Sequence, residues 1–147
     1  MEQINQSRFK LSLRIRHPSI DPALITDRLG LTQTNSFRFG ERRSTPKGEL
    51  LEGVNKESLW FLRVPAEHHT CISESTRGLN EILKPHQDFL RTIVEQGGVV
   101  EYFIGWFVDA NDGDILDWTL LSDCAQLRIS ISLDVYGEAL KREKTEK

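Results

Sequence analysis

The chain has 147 residues, 38% hydrophobic and 28% charged, with a formal net charge of −3 and two cysteines. That length suits one domain able to bury about 68% of its unfolded surface, and no apolar run approaches the roughly 18 residues of a membrane span. The balance excludes a disulfide-stapled scaffold and argues against a dedicated nucleic-acid binder, whose phosphate contacts call for a positive excess.

The N-terminal segment ending at Arg8 lacks the charged-then-apolar order of a signal peptide. A cytoplasmic location is therefore expected, with Cys71 and Cys124 kept as thiols. Arg8 to Arg16 alternates strictly, with Phe9, Leu11, Leu13 and Ile15 on one side and Arg8, Lys10, Ser12, Arg14 and Arg16 on the other. This predicts a strand with one wet, basic face. A short helix follows, capped by Asp21, opened by Pro22 and closed by Gly30, with Leu24, Ile25 and Leu29 facing inward and Leu31 folded over its end. Thr32 to Glu57 is polar and too long for an ordinary connection, so it either hides a short strand near Phe37 to Phe39 or is a functional loop.

Ser58 to Val64 reads as a second strand, with Trp60, Leu62 and Val64 opposite Leu59, Phe61 and Arg63, and Pro65 ends it. Beyond the polar stretch Ala66 to Ser75, a helical stripe runs through Leu79, Ile82, Leu83, His86, Phe89, Leu90, Ile93 and Val94. Pro85 interrupts it, predicting either a kink or two abutting helices. Gly97 and Gly98 stop the stripe. Val99 to Val108 is apolar on both alternating sets, as expected of an inner strand covered on both sides. A turn over Asp109 to Gly113 leads to a helix capped by Asp117, expected to carry Trp118, Leu121 and Ala125 inward. The last strand, Leu127 to Tyr136, places Leu127, Ile129, Ile131, Leu133 and Val135 on one side and Arg128, Ser130, Ser132, Asp134 and Tyr136 on the other. Residues 1–137 are read as one domain and 138–147 as a charged, flexible tail. The order predicts an α+β fold, a two-layer sandwich with helices on one face of a mainly antiparallel sheet, ferredoxin-like or related.

These landmarks resemble the bacterial domain-of-unknown-function family 4279. The resemblance is carried by Leu11-x-Leu13-x-Ile15, by Asp21-Pro22-x-x-Ile25-Thr26-x-x-Leu29-Gly30-Leu31, by Thr34 followed by Gly40-Glu41, by Trp60 and by Leu133-Asp134-Val135-Tyr136. It covers nearly the whole chain, with Gln33 standing where such members commonly carry proline. It implies one compact domain and carries no chemistry to transfer.

Three clusters invite a chemical reading. Glu67-His68-His69-Thr70-Cys71 gathers zinc-type ligands, but adjacent histidines on extended chain point apart and there is no second spaced pair. Asp109-Ala-Asn-Asp-Gly-Asp114 fails the calcium-loop spacing, with Asp114 at the turn-glycine position and Leu120 at that of the bidentate glutamate. His86 on an apolar stripe reads as a packing residue. No metal and no cofactor is expected, and no nucleophile signature is present, so a small enzyme ranks third. The basic loop, with Arg38, Arg42, Arg43 and Lys47 against Glu41, reads as a solvated loop or as a site for an acidic partner. If helices cover the Leu/Ile side, the open side of the sheet presents Arg8, Lys10, Arg14, Arg16 and Arg128 together with Phe61, Phe103, Phe107 and Tyr136. Arginines interleaved with aromatics serve protein hot spots and single-strand stacking alike. The first reading is therefore a non-catalytic protein-interaction module, immunity-type or regulatory, whose partner is another protein or a second copy. The alternative is an RNA or single-stranded nucleic-acid binding domain, although the basic-Gly-aromatic run of RNA-recognition strands is absent.

Overall fold

The computed structural model describes residues 8–65, 71–108 and 110–137. In chain order it contains β1 (Arg8–His17), α1 (Pro22–Leu29), β2 (Asn35–Phe37), β3 (Arg42–Ser44), β4 (Leu50–Val54), β5 (Ser58–Val64) and α2 (Ile72–Leu83). A 3-10 turn over Lys84–His86, α3 (Gln87–Glu95), β6 (Val99–Val108), α4 (Trp118–Gln126) and β7 (Ile129–Gly137) follow. The four strands expected from periodicity share one sheet, in the order β2-β5-β1-β6-β7, and β3 pairs with β4 as a separate hairpin. Every pairing in the large sheet is antiparallel except β6 with β7. A parallel pair needs a crossover, and α4 supplies it. The fold is α+β, and its element order departs from the βαββαβ of the ferredoxin-like arrangement while keeping helices over one face.

The alternation of β1 sets the layers. Leu11, Leu13 and Ile15 are buried in one cluster with Trp60 of β5, Tyr102 and Ile104 of β6, and Ile25, Leu29, Leu79, Leu83, Leu90, Ile93 and Leu120 from all four helices. Burying each such aliphatic side chain contributes about 1.5–3 kcal/mol. Within this core, the Tyr102 hydroxyl donates to Asn80 Oδ1 at 2.6 Å and Asn80 Nδ2 lies 3.4 Å from Cys124 Sγ, so β6, α2 and α4 are joined by a satisfied buried polar set. The Trp60 indole N–H donates to Thr26 Oγ1 at 2.9 Å, and the Thr26 hydroxyl donates to Gln33 Oε1. Gln33 thus closes the turn after α1.

The helix ends follow their sequence signals. Asp21 accepts the Ala23 N–H, and Gly30, at φ 67°, ends α1 with its N–H on the Thr26 carbonyl. Around Pro85 the chain forms two abutting helices joined by the 3-10 turn, and α2 begins at Ile72, ahead of the apolar stripe. Its first turn is capped from afar: Asp114 accepts the Ser73 N–H at 2.7 Å and the Ser73 hydroxyl at 2.9 Å. The acidic turn after β6 therefore has a structural task. At the end of α3, Gly97 N–H reaches Val94 O and Gly98 N–H reaches Ile93 O, a Schellman closure with Gly97 at φ 91°. A Cβ on Gly98 would come within 2.7 Å of the Arg16 and Ile93 carbonyl oxygens, so only glycine allows α3 to turn against β1. His17 ties the same corner. Its Nδ1 accepts the Ser19 and Ile20 N–H groups, which assigns the ring proton to Nε2, 2.7 Å from Gln96 Oε1.

Several inward expectations are corrected. Leu24 is 42% exposed while Ile25 and Leu29 are buried. Ile82 also faces outward. In α4, Leu120 and Cys124 point inward and continue to Leu127, whereas Trp118 is 79% exposed and Leu121 and Ala125 face solvent. The helix carries two stripes of helical spacing, and the Asp117 cap on Leu120 N–H and the Asn80–Cys124 contact fix which one turns in. β7 starts at Ile129, after Arg128 at φ 60°, and its Leu133 and Val135 remain about half exposed. The long polar segment holds a short strand, Asn35–Phe37, and the exposed β3–β4 hairpin. Glu67, His68 and His69, Asp109 and the tail 138–147 lie outside the described residues.

The rotation of α4 is testable by chemical denaturation. Leu120→Ala is expected to cost about 2–5 kcal/mol and Leu121→Ala under about 0.5 kcal/mol, and the reverse order would restore the Trp118 stripe to the core.

Candidate functional site

With all helices on the Leu/Ile side, no helix among the described residues covers the other side of the sheet, and strand register decides what stands together there. Arg14 pairs with Phe61 of β5 and Glu101 of β6, Ser12 with Phe103, Lys10 with Gly105 and Arg8 with Phe107, while Phe107 pairs across to Tyr136 and Gly105 to Asp134. The Arg14 guanidinium carbon lies 3.8 Å from the Phe103 ring centroid and 5.3 Å from that of Phe61. Each contact is a cation–π interaction between adjacent strands. Phe107 stacks on Tyr136 with centroids 5.1 Å apart and planes inclined by 14°, and Lys10 Nζ lies 5.9 Å over Phe107. The face thus carries two clusters of planar groups in contact, Arg14 with Phe103 and Phe61, and Phe107 with Tyr136.

The polar groups are unevenly satisfied. Glu101 is engaged by Arg16 at 3.8 Å and by the Ser132 hydroxyl at 2.8 Å. The Tyr136 hydroxyl donates to the Asp134 carboxylate. Arg14 donates from Nε to Ser12 Oγ at 3.3 Å, and its terminal amino groups have no acceptor among the described residues. Burial pulls the Arg14 guanidinium below the ordinary arginine range, with the Glu101 charge opposing that shift and Arg16 adding to it. Glycine at 105 leaves a gap between Phe103 and Phe107, and a depression of about 170 Å³ opens there, floored by β1 and β6 and walled by Phe61, Arg63, Asp134 and Tyr136. Its described lining comes from β1, β5, β6 and β7, with nothing from the long polar segment.

The sequence-predicted residues thus separate. Arg14, Phe61, Phe103, Phe107 and Tyr136 meet at the depression, and Arg16 lies along β1 from them. Arg128 turns back instead, donating to the Ala125 carbonyl at 3.0 Å, because the chain is still leaving α4 there. Arg38 pairs with Asp21 at 3.4 Å, and Arg42 and Arg43 donate to the Leu51 and Glu52 carbonyls within their own hairpin. A second concavity, holding Phe37, Arg43 and Val54, lies beside that hairpin. Arg63, Gly105, Glu101, Ser132 and Asp134 belong to the open face although they stood outside the selected set; two-residue alternation on β5, β6 and β7 carries their signal. On the core side, burial raises both the Cys124 thiol and the Tyr102 phenol above their ordinary ranges, and both groups serve packing. Among the described residues no three metal-ligating side chains converge, and no helix is long and apolar enough to cross a membrane.

Residues 7–138 match a family model described as "Domain of unknown function (DUF4279)". The chain belongs to the DUF4279 family. No curated protein and no solved structure matches it. The match spans the whole described DUF4279 fold from β1 to β7, so the open face is part of the family domain in this chain and not an appendage to it.

The Asp134 carboxylate stabilises the protonated Tyr136 phenol by hydrogen bond and by charge, raising it above the ordinary phenol range. In a pH titration followed by NMR, Tyr136 should ionise later than a free tyrosine, and Asp134→Ala should bring its midpoint back down; an unchanged midpoint would remove the pair.

Proposed function

We propose that this DUF4279 domain is a non-catalytic protein-interaction module whose contact surface is the open sheet face, with the basic β3–β4 hairpin beside it. The observation that carries this reading is the collection of half-buried Phe61, Phe103, Phe107 and Tyr136 among cations on a face that no described residue covers. Aromatic and arginine side chains in a shallow, partly desolvated setting are the composition of interface hot spots. Such a module fits an immunity-type or regulatory protein of a bacterium.

The nucleic-acid alternative draws on the same residues and is less well supported. A stacking platform offers ring faces to bases. Here Phe103 and Phe61 turn a face to Arg14, and Phe107 turns one to Tyr136. The chain also carries a net −3. A second copy laid face to face would oppose like charges along β1, which favours a different protein as partner.

The test is retention of a protein partner from native extract by wild type and by Phe103→Glu, which places an unpaired charge at the centre of the contact. The variant should keep its circular dichroism spectrum and lose the partner. An unchanged partner on a folded variant would overturn the reading, and retained material that is nuclease-sensitive and released steeply by salt would favour nucleic acid.

A further inference from the structure

We infer that the Arg14 site is a carboxylate-binding slot, and that its occupant is an extended acidic segment of a partner protein laid along β1. The inference rests on the reading of the open face given above and names the chemistry of its partner. The guanidinium lies against two rings, at 3.8 and 5.3 Å, and Ser12 holds Nε, so the group is fixed in orientation while its terminal N–H donors stay unmatched among the described residues. A planar fork of that kind matches a carboxylate in two parallel hydrogen bonds, which a point charge cannot reproduce. Glu101 does not fill the role, being held by Arg16 and Ser132.

The surroundings select the occupant further. The depression is about 170 Å³, below the roughly 300–1,000 Å³ of sites that enclose whole small molecules, and so suits one side chain. Lys10, Arg14 and Arg16 lie on one face of a single strand, where alternate residues repeat every ~6.7 Å, and Arg63 stands on the neighbouring strand. An extended segment with carboxylates at alternate positions repeats at the same interval, so one carboxylate entering the Arg14 slot places the next over Arg16 on one side and, one repeat beyond Ser12, another over Lys10 on the other. Asp134, the remaining carboxylate at the depression, is hydrogen-bonded by Tyr136 and lies on the β7 side.

The probe is the acetylated, amidated peptide Glu-Thr-Glu-Thr-Glu-Thr, in which only side chains carry carboxylates, with its glutamine counterpart as control. Binding to the full chain is followed by NMR at the Arg14 Nε–H and by titration of affinity. The acidic peptide should shift the Arg14 resonance and the glutamine peptide should not. Arg14→Lys, which keeps the charge and loses the fork, should weaken binding by about tenfold or more, while Arg91→Lys on α3 should not. Gly105→Leu provides a second variant that fills the depression without altering charge, since a Cβ there meets nothing within 4 Å, and it should also weaken binding. Full affinity in Arg14→Lys together with loss in Phe103→Glu would overturn the slot and leave the face reading standing. Perturbations confined to other surfaces would overturn both. Absence of binding at millimolar peptide, or tighter binding of a twelve-residue oligothymidylate, would overturn the slot.

Discussion

Strict alternation along β1 is the constraint on which the remaining structure depends. Because successive side chains leave a strand on opposite sides, Leu11, Leu13 and Ile15 can enter the core only if Arg14 and Arg16 stand on the far side. A slip of one residue would put the arginines among the helices, at a desolvation cost no rearrangement of this core could offset. The pairing of β1 with both β5 and β6 then carries the same division across the sheet. Trp60 and Tyr102 fall on the covered side, and Phe61 and Phe103 on the open one. Core and candidate site are two readings of one register.

The buried polar groups reinforce that register. Tyr102, Asn80 and Cys124 satisfy one another across three elements, and such a set has few alternative pairings. An aliphatic core tolerates sliding more readily than a hydrogen-bonded one does. The Trp60–Thr26–Gln33 chain does the same between β5 and α1. At the β1–α3 corner, His17 and Gly98 act by a different route: one supplies a single acceptor, Nδ1, shared by two turn N–H groups, and the other allows the close approach of backbone to backbone.

Strands were more legible in the sequence than helices, for a geometric reason. A two-residue period has only two phases, and a single pair of leucines decides between them, so β5 and β6 match their expected bounds and β1 differs by one residue. A nine-residue helix such as α4 can satisfy several phases, and its inward stripe was set by residues distant in sequence, Asn80 above all. Arg128 stands off the open face because the alternation that begins at Leu127 precedes the strand by two residues and runs through a left-handed position that still belongs to the helix end. The cap that Asp114 provides to Ser73 was invisible, since nothing local to either residue indicates a partner on the other side of the chain. Of the candidate site, the residue types and their side of the sheet were readable. The packing of Arg14 against two rings depends on neighbours brought in from β5 and β6, and only register reveals it.

The central place of β1 has a consequence for how the chain is made. Among the described strands, the one synthesised first is the one that must finish between two others, since Leu13 meets Leu62 on one side and Tyr102 on the other. On the ribosome, β1 emerges with both hydrogen-bonding edges unpaired, and it stays so on one edge until β6 has left the exit tunnel. Contacts of such long sequence separation carry a large loop-closure entropy and slow the search. Its alternate arginines and lysine keep that waiting strand charged and discourage pairing with strands of neighbouring nascent chains. The cations of β1 therefore serve the polypeptide before there is any folded face on which a partner could land.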